Sequence, residues 1–188
     1  MPGQFNQDAI IAELIEKKIL PERGFYIDVG AAHPIAQSNT DVLYQRGWRG
    51  LLIEPQKILC YELKKARPED TIWCGVASNE KGTAILYGDW LVASLDKNWN
   101  KKNPKATVDK DTLDNIIIEL NISHCDFCSI DTEGHDKMVL EGMDFNKLKP
   151  TVFCIESAND CHDILITNGY KYYKKADFNQ DGFYIKNV

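Results

Sequence analysis

The rhythm of apolar and polar positions changes near residue 24. Before it, Ile10, Ile11, Leu14, Ile15 and Ile19 recur at helical spacing with Pro21 just beyond, which predicts an amphipathic N-terminal helix within residues 1–22. After Gly24 the apolar runs shorten to strand length: FYIDV at 25–29, LLIE at 51–54, IWCGVA at 72–77, FCSID at 127–131 and TVFCIE at 151–156. Most of the gaps between them hold helical patterns with their own punctuation. Ser38 with Asp41 resembles a capping box and Gly47 supplies a stop. Residues 56–67 end before Pro68, residues 112–120 open on Thr112, an N-cap residue type, and residues 136–145 follow Gly134. Apolar runs without clean polar alternation, interleaved with helices, predict a mostly parallel sheet covered on both faces, hence a three-layer α/β sandwich. KYYKK and GFYIKN near the C-terminal end have no helix between them and predict a hairpin that closes the sheet with an antiparallel edge strand. No repeat or Pro/Gly/Ser-rich linker divides the chain, so residues 1–188 are expected to form one domain.

Composition narrows the function classes. Of the 188 residues 44% are hydrophobic and 27% charged, enough apolar material for a sizeable core and unlike a disordered or coiled-coil chain. The net charge of −6 provides no global positive field, so a nucleic-acid partner is not expected. No stretch approaches the roughly 18–20 apolar residues of a membrane span, and MPGQFNQDAI lacks the basic start and apolar segment of a signal peptide, which predicts a cytoplasmic protein. The six cysteines lie in apolar strand-like or helix-like contexts and are expected to stay reduced. Cys125 and Cys128 of HCDFC read as packed thiols rather than a zinc or redox pair, because positions three apart on a strand face opposite ways.

The chemistry gathers at the ends of the strand runs. In open α/β sheets ligands lie beyond the carboxyl ends of the strands, and here those ends are acidic: Asp28, Glu54, Asp131 and Glu156. Like charges converging on one rim call for a cation, a metal or hydroxyl donors. The turn after the first strand has only Gly30 where a pyrophosphate-binding turn wants G-x-G-x-x-G, which disfavours a dehydrogenase. A cationic nucleoside cofactor without phosphates suits Asp28 and Gly30 better, and Glu54, 26 residues after Asp28, stands near the offset at which an acid grips ribose hydroxyls. S-adenosylmethionine fits that description. Asp131, Glu133 and His135 occupy alternate positions and share a face if the segment stays extended; they can take a proton or hold a divalent cation. Residues 87–105 break the α/β rhythm with Tyr87, Trp90, Trp99, Asp89 and Asp96, which predicts a long substrate loop, and Lys97, Lys101, Lys102 and Lys105 read as its solvated face.

With these residues in hand, the chain resembles the FkbM-type methyltransferases. The resemblance runs through IDVGA, SNT and RGWRGLLIEP in residues 25–55, then GVASNEKGTAILYG, TLDNII, FCSIDTEGHDKMVLEGMDF, KPTVFCIES and NQDGFYI, and covers roughly residues 24–187. It implies a Rossmann-like class I methyltransferase sheet of about seven strands, S-adenosyl-L-methionine as cofactor, and O-methylation of a sugar, glycan or natural-product-like small molecule. By the same resemblance Asp28, Gly30 and Ala31 form the cofactor loop, Ser38, Asn39 and Thr40 close over the cofactor, and Glu54 binds the ribose diol. Val76 and Ala77 border the adenine, and Asp131, Glu133 and His135 face the methyl group. A non-catalytic nucleotide-binding or scaffold domain on the same fold is the alternative reading.

Overall fold

The computed structural model describes residues 6–88, 93–98, 104–176 and 181–187. The first helix, α1 (Gln7–Glu16), buries Ile10, Ile11, Leu14 and Ile15. It stops earlier than its apolar spacing predicts, because Lys18 takes a left-handed conformation (φ 57°) and the N–H groups of Ile19 and Leu20 both return to the Leu14 carbonyl. Leu20 still reaches the core, so the spacing outlasts the helix.

Seven strands form the main sheet: β1 (Phe25–Val29), β2 (Arg49–Ile53), β3 (Thr71–Trp73), β7 (Phe127–Ile130), β8 (Val152–Ile155), β9 (Tyr170–Lys175) and β10 (Gly182–Lys186), in the order β3-β2-β1-β7-β8-β10-β9. Strands β3, β2, β1, β7 and β8 pair in parallel. Strand β10 runs antiparallel between β8 and β9, so the antiparallel strand lies second from the edge and β9 is the edge. The expected hairpin is present; residues 177–180 of its connection lie outside the described residues.

Both faces of the sheet are buried. On β1, Ile27 and Val29 enter one apolar layer while Tyr26 enters the other, as the two-residue period of a strand requires. One layer is covered by α4 (Leu113–Glu119), α5 (Asp136–Glu141) and α6 (Ala158–Thr167), the other by α1, α2 (Asp41–Gln45) and α3 (Lys57–Ala66). The expected three-layer α/β sandwich is the observed one. Helix α4 is capped as anticipated, Thr112 Oγ1 accepting the Asn115 N–H at 3.1 Å.

Two features depart from expectation. The run at 72–77 is two strands in two sheets: β3 pairs with β2, whereas β4 (Val76–Ser78) joins a small sheet of order β4-β6-β5 with β5 (Gly82–Tyr87) and β6 (Pro104–Thr112). The chain changes sheets at Gly75, where a Cβ would come within 2.7 Å of the Asp109 carbonyl oxygen. Residues 87–105 are accordingly flanked by strand at both ends, and Tyr87 bridges Ser94. Asp89, Trp90, Trp99, Lys101 and Lys102 lie outside the described residues.

The cysteines also differ. Cys60 of α3 and Cys74 after β3 form a disulfide, so reduced thiols hold for four of the six, all buried. Cys125 precedes β7 rather than lying in it, which lets it share an apolar layer with Cys128 instead of facing away. Among the described residues no helix is long and apolar enough to cross a membrane.

Candidate active site

The chain leaves β1 toward β2 and β3 on one side and returns to β7 on the other, so the strand order reverses between β1 and β7. A crevice forms beyond the carboxyl ends of strands at such a point. Gly30 sits there with φ +82°, and a side chain on it would collide with the Asp131 carbonyl oxygen. Its N–H and that of Ala31 both donate to the Ile53 carbonyl (2.9 and 3.1 Å), which ties the turn after β1 to β2.

The cleft has two halves that share Gly30, Ala32, Asp131 and Glu133. The apolar half is walled by Ile53, Val76, Ala77, Leu86 and Leu95, with Glu54 and His135 at its margin. Glu54 follows β2 and is held by main chain on both sides, accepting from Ala32 N (3.0 Å) and Gln56 N (2.8 Å). These two N–H groups orient the carboxylate, which can still accept from a further donor. The polar half is lined by Asp28, Ala31, Gln37, Asn39 and Glu156.

The electrostatics are those of a buried acidic rim. Burial pushes Glu54 and Glu156 each up to about 7 and Asp28 to about 6, and holds Asp131 well above the ordinary carboxylate range with Glu156 beside it adding to the effect. Glu133 moves the same way, from burial and then Asp136. The one buried cation among the described residues, Arg67, is spent on the loop that follows β1. It donates to the Pro34 carbonyl, to Ser38 Oγ at 2.7 Å and to Thr40 Oγ1 at 2.8 Å, and pairs with Asp41 at 3.7 Å. Thr40 in turn donates to Asp28 Oδ2 at 2.5 Å.

Of the residues expected to hold a cofactor, Asp28, Gly30, Ala31, Asn39, Glu54, Val76 and Ala77 all line the cleft. Ser38 and Thr40 do not; their hydroxyls face Arg67 and fix the loop from behind. The trio Asp131, Glu133 and His135 does not converge as an extended segment would. Glu133 (φ 54°) and Gly134 (φ 95°) turn the chain left-handed, and His135 swings to Ser78 Oγ at 3.1 Å. Glu156 takes the third place instead, accepting the Glu133 N–H at 3.2 Å. Burial, with Lys110 second, holds the His135 pKa below its ordinary value. Sequence reasoning missed Arg67, an arginine at a helix end that no local pattern distinguishes, and Ser94, whose hydroxyl donates to the Glu133 carbonyl at 2.8 Å.

The model of the methyltransferase FkbM domain matches residues 28–172, well over half the chain. The protein belongs to the FkbM methyltransferase family. No curated protein sequence matches the chain. Among solved structures it is similar to a TehB-like SAM-dependent methyltransferase from Corynebacterium glutamicum, at 11% identity and TM-score 0.53, covering 98% of this chain and 89% of that one. It is also similar to the fibrillarin pre-rRNA processing protein of Methanococcus jannaschii, at 12% identity and TM-score 0.53, covering 97% and 77%. These likenesses place the fold among class I methyltransferases, with the seven-stranded, mostly parallel sheet expected from the chain. Family membership makes methyl transfer the activity class and implies S-adenosylmethionine as donor.

Proposed function

We propose that residues 1–188 act as one S-adenosylmethionine-dependent O-methyltransferase domain, working on a hydroxyl of a sugar, glycan or natural-product-like small molecule. The observation that carries this reading is the pairing, within one cleft, of an apolar slot bearing the backbone-anchored Glu54 with an acidic end at Asp131 and Glu133. The residues fit the cofactor. Glu54 would accept from the ribose diol, Val76, Ala77 and Leu95 would flank the adenine, and the bare Gly30 permits close approach of the amino-acid end beside Asp28 and Ala31. When bound, the cofactor supplies an electrophilic methyl group on a sulfonium whose positive charge an acidic rim favours.

The protein's part is alignment of the acceptor oxygen and removal of its proton. Asp131, which ends β7 at the rim of both halves, is placed to take that proton. Glu133 and His135, on the turn beyond it, orient the hydroxyl. The segment at 93–98, docked on the Glu133 carbonyl through Ser94, would contact the acceptor. The acidic rim at Asp28, Glu54, Asp131 and Glu156 disfavours a polyanion, which favours a small-molecule acceptor.

Calorimetric titration with S-adenosylhomocysteine, followed by a methyl-transfer screen over glycans and small hydroxylated molecules, tests the reading. Saturable binding with transfer to at least one hydroxyl is expected. A folded protein that does not bind S-adenosylhomocysteine overturns it, and binding without transfer to any acceptor favours the scaffold alternative.

A further inference from the structure

One arginine holds the loop that follows β1, and one of its bonds goes further than the loop. Arg67 caps the C-terminal end of α3 and is 1% exposed; its guanidinium donates to Ser38 Oγ at 2.7 Å and to Thr40 Oγ1 at 2.8 Å. A guanidinium only donates, so the Thr40 oxygen accepts from it and keeps its single proton for another partner. That partner is Asp28, whose Oδ2 accepts at 2.5 Å. Among the described residues Thr40 is the one side chain that donates to the Asp28 carboxylate. The direction of the chain from Arg67 through Thr40 to Asp28 is thus fixed by donor chemistry, and it suits an ionised Asp28. Bonds to Pro34 and Ser38 would suffice to staple the loop; the bond through Thr40 ends on an acid that lines the cleft.

The rest of the surroundings oppose the charge. Asp28 is 2% exposed, and burial raises it, with Asp70 adding to the effect. Tyr26 on its own strand, Glu54 beyond β2, Cys128 on β7 and Cys154 on β8 also face it, and Asp131 and Glu156 share its recess. Arg67 is the one cation among these groups, and only Thr40 and Arg67 act to lower Asp28. We infer that Arg67 is a positioning residue for the cofactor: through the Thr40 hydroxyl it keeps Asp28 ionised and oriented in the recess, ready for the cofactor's ammonium group. The ligand assigned to Asp28 rests on the methyl-transfer reading; the relay behind it does not.

The relay is read first without ligand, by NMR of the isotope-labelled Asp28 carboxyl carbon in the full chain, assigned with Asp28→Asn. Thr40→Val removes the hydroxyl at nearly constant shape, and Arg67→Met removes the charge. Each is expected to move the Asp28 midpoint up by about one pH unit, whereas Thr40→Ser should leave it in place. S-adenosylhomocysteine affinity is then measured by calorimetry across the same range. Thr40→Val should bind about fivefold more weakly than the unaltered protein near pH 6 and almost equally by about pH 8, where Asp28 is ionised in both. Glu54 and Glu156 titrate in both proteins, so the ratio of affinities isolates Asp28. A mere staple would cost the same factor at every pH. If Arg67→Met fails to fold, the two Thr40 variants decide. A midpoint unmoved in folded Thr40→Val, or a loss of affinity that does not change with pH, overturns the relay. A midpoint that moves as expected in a protein that does not bind S-adenosylhomocysteine overturns the methyl-transfer reading, and with it the ligand assigned to Asp28, while the relay stands.

Discussion

Glu54 is held by the N–H groups of Ala32 and Gln56, so its orientation does not depend on a ligand. A pre-set acceptor loses little entropy on binding, and its loss should be felt directly in affinity. Glu54→Ala is expected to weaken S-adenosylhomocysteine binding by about 1–3 kcal/mol with the fold retained, read by calorimetry on a variant of unchanged circular dichroism. Asp131 lies at the rim of both halves of the cleft, at the end of a buried strand whose apolar neighbours fix its place. Asp131→Ala should lower turnover by about 100-fold or more while cofactor affinity changes less; His135→Ala should cost less than that. Full activity in both variants would move the chemistry elsewhere in the cleft, to Glu156 or to the 93–98 segment. The acidic strand ends were legible in the chain because a parallel sheet delivers them to one rim. The exchange of His135 for Glu156 was not, since it depends on left-handed backbone at Glu133, a conformation that nothing in SIDTEGH announces.

At the scale of elements, legibility followed burial. Strands β1, β2, β7 and β8 are apolar on both faces and bounded by glycine, proline or acid, so their runs stand out. Strand β6, PKATVDKDT, is largely exposed and polar, and exists through pairing with β4 and β5 rather than through its own composition. The disulfide belongs to the same class of non-local fact. Cys60 lies on α3 and Cys74 beyond β3, 14 residues on, and they meet because α3 packs against β3. The closed loop should contribute about 3 kcal/mol through the unfolded state. Cys74→Ser, or reductant, is therefore expected to lower the melting temperature, and iodoacetamide labelling without reductant should leave both residues unmodified. Because Gly75 follows Cys74 and lines the apolar slot, the same variant should also weaken S-adenosylhomocysteine binding. Equal melting with and without reductant, with both thiols alkylated, would count against the bridge.

For the molecule as a whole, the buried acidic rim is a liability that its ligands would relieve. Burial pushes Asp28 up to about 6 and Glu54 and Glu156 up to about 7, from ordinary values near 4, and does the same to Asp181, which accepts from Gln7 outside the cleft and rises to about 6. A group raised in this way stabilises the fold fully below its unfolded pKa and loses that contribution as pH climbs through the folded value. Glu13 acts oppositely on the surface: Lys17, then Lys174 and Tyr173, hold it down at about 2, so its contribution is present above its unfolded pKa and lost as pH falls. The melting temperature of the ligand-free protein should thus peak near pH 4.5–5 and decline toward pH 7–8. Glu54→Gln should flatten part of that decline, because the glutamine cannot ionise. Ligands that favour the charged carboxylates should do the reverse, so S-adenosylmethionine affinity should rise between about pH 5.5 and 7.5 with release of protons on binding. Calorimetry in two buffers of different ionisation enthalpy reads that release; proton uptake, or affinity that falls over this window, would mean that the rim binds its ligands in the protonated form.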